Sequence, residues 1–171
     1  DEVEDADRKV RTVLEDLRRR LEELKKHSDD VSRRNEKLLR ELKEHSDRLV
    51  EEIKRDKKVE RVEELVRRNE KKLEDAVREV EKTVRDNKEK LKRVVEKIEE
   101  DIRRVEEELK RDVRDKRVVD ELLKKLRDVL EEVRRTVDEL VKRSEESLRR
   151  AREVIRRLLE KTREVLEEVR T

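Results

Sequence analysis

The sequence predicts an all-α fold: an antiparallel up-down-up three-helix bundle of long, nearly straight helices, about 53 residues each. Three observations predict it. The chain lacks glycine, which tight turns of positive φ favour, and every aromatic residue, which strands favour. Its apolar residues recur in alternating steps of three and four. The recurrence breaks at two places that hold nearly the same string. The 171 residues draw on twelve amino acids, with Gly, Pro, Cys, Met, Gln, Phe, Tyr and Trp absent. At average usage of ~7% Gly and ~5% Pro, a chain of this length would lack both by chance about three times in 10¹⁰. Sheets want aromatics and glycine-bearing hairpins, so a β-rich fold is excluded. Phosphate-cradling loops and nucleophile elbows, which are built on glycine, are excluded with it.

The first helix is expected over 2–54. Its stripe runs Val10, Leu14, Leu17, Leu21, Leu24, Val31, Leu38, Leu42, Leu49, Ile53, which is one face of an α-helix. The second, over 59–112, carries Val62, Val66, Leu73, Val77, Val80, Val84, Leu91, Val94, Ile98, Ile102, Val105 and Leu109. The third, over 118–170, carries Val119, Leu122, Leu126, Val129, Val133, Val137, Leu140, Ala151, Val154, Leu158, Val165 and Val169. Apolar positions repeat at 18 residues, as in 62/80/98 and 66/84/102, and the triplet His-Ser-Asp repeats at 27–29 and 45–47. Eighteen residues make five turns of 3.6, which leaves a helix straight, whereas a strict seven-residue repeat would supercoil it. The breaks fall at Arg55-Asp56-Lys57-Lys58 and Arg114-Asp115-Lys116-Arg117. Turns are expected at 55–58 and 113–117, with Asp56 and Asp115 as N-caps of the helices that follow. The whole chain, 1–171, reads as one bundle.

Charge decorates this frame without marking a partner. Of all residues 61% are charged, 53 basic against 51 acidic, for a net +2. Lys and Arg alternate with Glu and Asp, as in Glu106-Glu107-Glu108-Leu109-Lys110-Arg111. That pattern is a solvated helix surface laced with i,i+4 pairs, where a nucleic-acid binder would segregate its basic residues. The longest apolar run is two residues, against ~20 for a membrane span and ~7–15 for the core of a signal peptide. Without Cys there is neither a disulfide nor a thiolate metal site. Leu, Ile and Val make up 49 residues, above the ~20% below which a charged chain stays disordered.

Polar residues interrupt the stripes, and their positions bear on how the helices pair. In an antiparallel hairpin, residues at one level have numbers with a constant total. His27 with Asn87 and His45 with Asn69 both total 114. Asn87 with Ser144 and Asn69 with Thr162 both total 231. Half of each total falls inside a predicted turn. Two layers are therefore expected, His27/Asn87/Ser144 and His45/Asn69/Thr162, 18 residues or ~27 Å apart along the helices. Ser28, Ser32, Asn35, Ser46, Thr83 and Ser147 are expected to extend them. An unpaired buried polar group costs ~1–3 kcal/mol, so such layers disfavour a slipped or swapped arrangement. Buried His27 and His45 should have depressed pKa values. The totals are the same whether the third helix lies to the left or to the right of the first hairpin.

The His-Ser-Asp string is not a catalytic triad, because neighbours on a helix point ~100° apart. Nor do two histidines ~27 Å apart share a metal. The restricted alphabet, Glu/Lys/Arg surface, 18-residue repeat and repeated polar layers resemble de novo designed, parametrically built helical bundles, and the layers are similar to the buried hydrogen-bond networks of that class. The resemblance implies a hyperstable structural scaffold or a test of a polar core, with no enzyme activity, catalytic residue, cofactor, metal, nucleic acid, membrane or natural localisation. It implies a monomer without partners. The alternative is a self-assembly or partner-binding coiled-coil module, homo-oligomer or heteromer subunit. An exposed strip involving Leu39, Val50, Val118, Leu123, Val141 and Leu159 would favour it.

Overall fold

The computed structural model describes residues 1–56 and 58–171; Lys57, at the midpoint of the first expected turn, lies outside the described residues. Three helices hold nearly all of the chain: α1 Glu2–Arg55, α2 Val59–Asp112 and α3 Lys116–Arg170. Among the described residues there is no strand. The fold is the all-α, antiparallel three-helix arrangement that the stripe predicts.

The helix ends show why glycine is dispensable. Asp1 caps α1, its Oδ1 accepting the Val3 N–H at 3.1 Å. Asp115 caps α3 as expected, its Oδ1 accepting the Arg117 N–H at 3.0 Å and its carbonyl the Val119 N–H at 3.1 Å. This cap starts α3 at Lys116, two residues before the expected start. Asp56 does not cap α2. Its own N–H continues α1 by donating to the Glu52 carbonyl at 3.0 Å, and the Lys58 carbonyl accepts the first bond of α2, from Val62, at 3.0 Å. The Asp56 carboxylate instead lies 3.6 Å from the Arg61 guanidinium. Lys54 and Arg55 lie in the last turn of α1, and Lys110 and Arg111 in that of α2, where cations oppose the negative pole of the backbone dipoles. No described residue has positive φ, so these helix ends ask for no left-handed residue.

The chain forms two compact units, each assembled from part of every helix: residues 1–28 with 87–143, and residues 29–86 with 144–171. In the first unit, Asp101 of α2 pairs with Arg20 and Glu108 with Lys9, so α1 and α2 run antiparallel. Its core is one apolar cluster built from all three helices, with Leu17, Leu91, Ile98, Leu126 and Val133 almost fully buried. In the second unit, Ser46 meets Asn69 and Asn35 meets Thr83, again antiparallel. Its core is divided. Leu49, Val50, Ile53, Val62, Val66 and Val165 form one cluster, Leu42, Leu73, Ala76, Ile155 and Leu158 a second, and Val80, Val84 and Ala151 a third.

Candidate functional site

The features of the core that demand explanation are its polar groups. Among the described residues seven polar ones are buried: Ser28, Asn35, Ser46, Asn69, Asn87, Ser144 and Thr162. In the first unit the Asn87 amide donates to Ser28 Oγ at 3.3 Å. In the second, the Asn69 amide donates to Ser46 Oγ at 3.4 Å. There Thr83 Oγ1 also donates to Asn35 Oδ1 at 3.1 Å, sharing its proton with the Val80 carbonyl at 3.0 Å.

The serine–asparagine pairs sit one position from the expected ones. Ser28 with Asn87 and Ser46 with Asn69 each total 115, not 114. The serines are buried, and the preceding histidines, His27 and His45, are half-buried. The reason lies in helix geometry. Ser28 is seven residues from Leu21 and Asn35, and Ser46 is seven from Ile53 and four from Leu42, so each shares the central line of the α1 stripe. A histidine one step back is turned ~100° away, towards the rim. A hydroxymethyl group also fits beside an asparagine where an imidazole would need more room. Ser32 and Ser147 are half-buried, and Asn35 takes the hydrogen bond of Thr83.

Thr162 is fully buried, yet its hydroxyl donates to the Leu158 and Leu159 carbonyls of its own helix at 3.2 and 3.0 Å. Asn69 Oδ1 and Asn35 Nδ2 are buried with no hydrogen-bond partner. Helices α1 and α2 are thus tied directly through polar side chains in the second unit. The Thr162 hydroxyl satisfies itself locally, as serine and threonine commonly do inside helices. Burial, followed by the positive fields of Lys72 and Arg48, pushes the His45 pKa down.

The buried polar groups of the core are amides and hydroxyls. Among the described residues no group of three or more His, Cys, Asp or Glu could hold a metal ion. Among the described residues no helix is long and apolar enough to cross a membrane.

Charge pairing across α2 and α3 is more ordered than the alternation of signs suggests. In the second unit Glu63, Glu70 and Glu81 meet Arg170, Arg163 and Arg152 at 3.2, 3.1 and 3.2 Å. In the first, Glu99 and Glu106 meet Arg134 and Arg127 at 3.5 and 3.6 Å. Every pair totals 233. A search for opposite charges at constant total would have found this register, because it differs by only two from the 231 of the polar residues.

No protein-family model matches the chain, and no curated protein matches it. Among solved structures, one described as "Computationally designed three helix bundle" aligns with a TM-score of 0.60, over 99% of this chain and 87% of that chain. The fold is a three-helix bundle. At 18% identity the likeness concerns the backbone arrangement alone. The bundle resembles a designed one in architecture and also buries hydrogen-bonded polar side chains, as the 18-residue repeat leads one to expect.

Proposed function

We propose that this chain is a designed structural scaffold in which polar groups placed in a helical core specify helix pairing, and that it has no substrate. The observation that carries this reading is the recurrence of one arrangement, a buried serine on α1 hydrogen-bonded to a buried asparagine on α2, at two levels 18 residues apart on each helix. The match to a designed three-helix bundle supports it. A buried polar pair adds little net stability, but it penalises every arrangement that leaves it unpaired. The assembly alternative asks for an apolar strip open to solvent. Of its candidates, Val50 and Leu123 are 6% and 5% exposed, and Leu39, Val118, Val141 and Leu159 are half-buried against the core. Light scattering with an absolute mass, at two concentrations, tests the reading. The scaffold is expected at one chain mass, 21.0 kDa, at both concentrations. A mass of two or three chains that rises with concentration would put the assembly module in its place.

A further inference from the structure

The two edges that flank the apolar face of α2 differ in charge. Steps of 7, 11 and 18 residues lie within about 20° of whole helical turns, so Glu63, Glu70, Glu81, Glu99 and Glu106 form one edge of α2. All five meet arginines of α3. The other edge lies about 180° around the helix and meets α1 through Arg61, Asp101 and Glu108. It mixes signs. Helix α3 is built alike: the five arginines that meet α2 line one edge, and Lys161, on the opposite edge, reaches Asp47 of α1 at 3.1 Å. Lys88, on the acidic edge of α2, has the opposite sign, and its counterpart by number on α3, Glu145, is reversed too.

A bundle with α3 on the other side of the α1–α2 hairpin would keep every apolar stripe inward, both turns and every register total. It would exchange the edges. At the same total of 233 it would set Lys72 against Lys161, Lys90 against Arg143 and Asp101 against Glu132, with Glu108 against Lys125 as a favourable pair. We infer that the acidic edge of α2 and the arginine edge of α3 fix the side of the first hairpin on which α3 packs. The inward apolar stripes and the register totals are the same on either side, so the charges that flank them carry the difference. One exposed ion pair shifts an equilibrium by roughly 1.5- to 5-fold. Five favourable pairs between α2 and α3 exchanged for three like-charged ones and one favourable one then bias the two sides by at least about tenfold.

The test uses the full chain, which has no native cysteine, with two reporter pairs for a short bismaleimide cross-linker. Glu99→Cys with Arg134→Cys reports the observed side, and Lys90→Cys with Arg143→Cys the opposite one. Each pair is placed in the parent, in a variant with Arg127, Arg152, Arg163 and Arg170→Glu, and in an exchanged variant that also carries Glu63, Glu70, Glu81 and Glu106→Arg. The parent is expected to cross-link at the first pair at least tenfold more than at the second. The arginine-reversed chain should lose that ratio, or lose its helicity, and the exchanged chain should recover both. An unchanged ratio in the reversed chain would overturn the inference. So would an exchanged chain that fails to recover the parent's ratio.

Discussion

The two units bury helices of one chain, yet their cores are organised differently. In the first unit, apolar side chains from Ala6 to Leu24, Leu91 to Val113 and Val119 to Leu140 form one cluster, and the Ser28–Asn87 pair stands at the ends of the chain segments that build it. In the second unit, Ser46, Asn69 and Thr162 fall on each helix between the residues of one apolar cluster and those of the next. Asn35 and Thr83 border the third cluster. Polar residues that stand between apolar ones on each helix thus divide the second core, whereas the first unit's serine–asparagine pair, at the ends of its segments, leaves its apolar cluster whole. Continuous apolar packing supplies stability through area removed from water. On the proposed reading the interruptions supply a register that a uniform apolar stripe lacks.

The largest effects should come from large-to-small substitutions in the two cores. Leu126 and Leu73 are both 0% exposed. Leu126→Ala should cost towards the upper part of the ~2–5 kcal/mol range for such changes, because its surroundings are apolar throughout. Leu73→Ala should cost less, since Ala76 and the neighbouring polar level leave the second core less tightly constrained. Urea unfolding followed by circular dichroism measures both, and a larger loss at Leu73 would break the contrast between the units.

Asn69→Ala should come next, at about 1–3 kcal/mol. It leaves the buried Ser46 hydroxyl without the amide that donates to it. A loss no larger than that of an exposed substitution, measured in the same way, would mean that the pair is solvated.

The smallest effect concerns pH. The folded-state pKa of His45 lies below its ordinary value of 6.5, so the unfolded chain takes up this proton first. The contribution of neutral His45 is complete above pH ~6.5 and is lost as pH falls from there towards the folded pKa. Stability should therefore drop between pH 7.5 and 5.0, and His45→Gln should reduce that drop. An equal drop in both proteins would assign it to carboxylates instead.

Much of this architecture is legible in the sequence because a helix converts spacing into direction. The 18-residue recurrence of Val62, Val80 and Ile98 placed all three on the core face, and all are at most 0% exposed. The Asp115 cap followed from an aspartate just ahead of a new stripe. The finer pairing was less accessible. His27 and Ser28 both adjoin the stripe, and only the packed helices show that the serine lies at the centre and the histidine at the rim. The Thr162 hydroxyl bonds to its own helix, which no spacing reveals. The Asp56 cap failed because α1 extends to Arg55 and takes Asp56 into its last turn. The ordered Glu–Arg edge was hidden by composition, since an even mixture of signs looks the same whether or not the signs face each other.

The most direct test is to replace the interrupting level of the second unit with apolar residues of similar shape: Ser46→Ala, Asn69→Leu and Thr162→Val together. If these groups specify pairing without adding net stability, the urea midpoint should stay where it is or rise, with unchanged helicity. Thr162→Val in particular gives up only a bond to its own backbone. A loss of more than about 2 kcal/mol would contradict the account and make the polar level a source of stability in its own right.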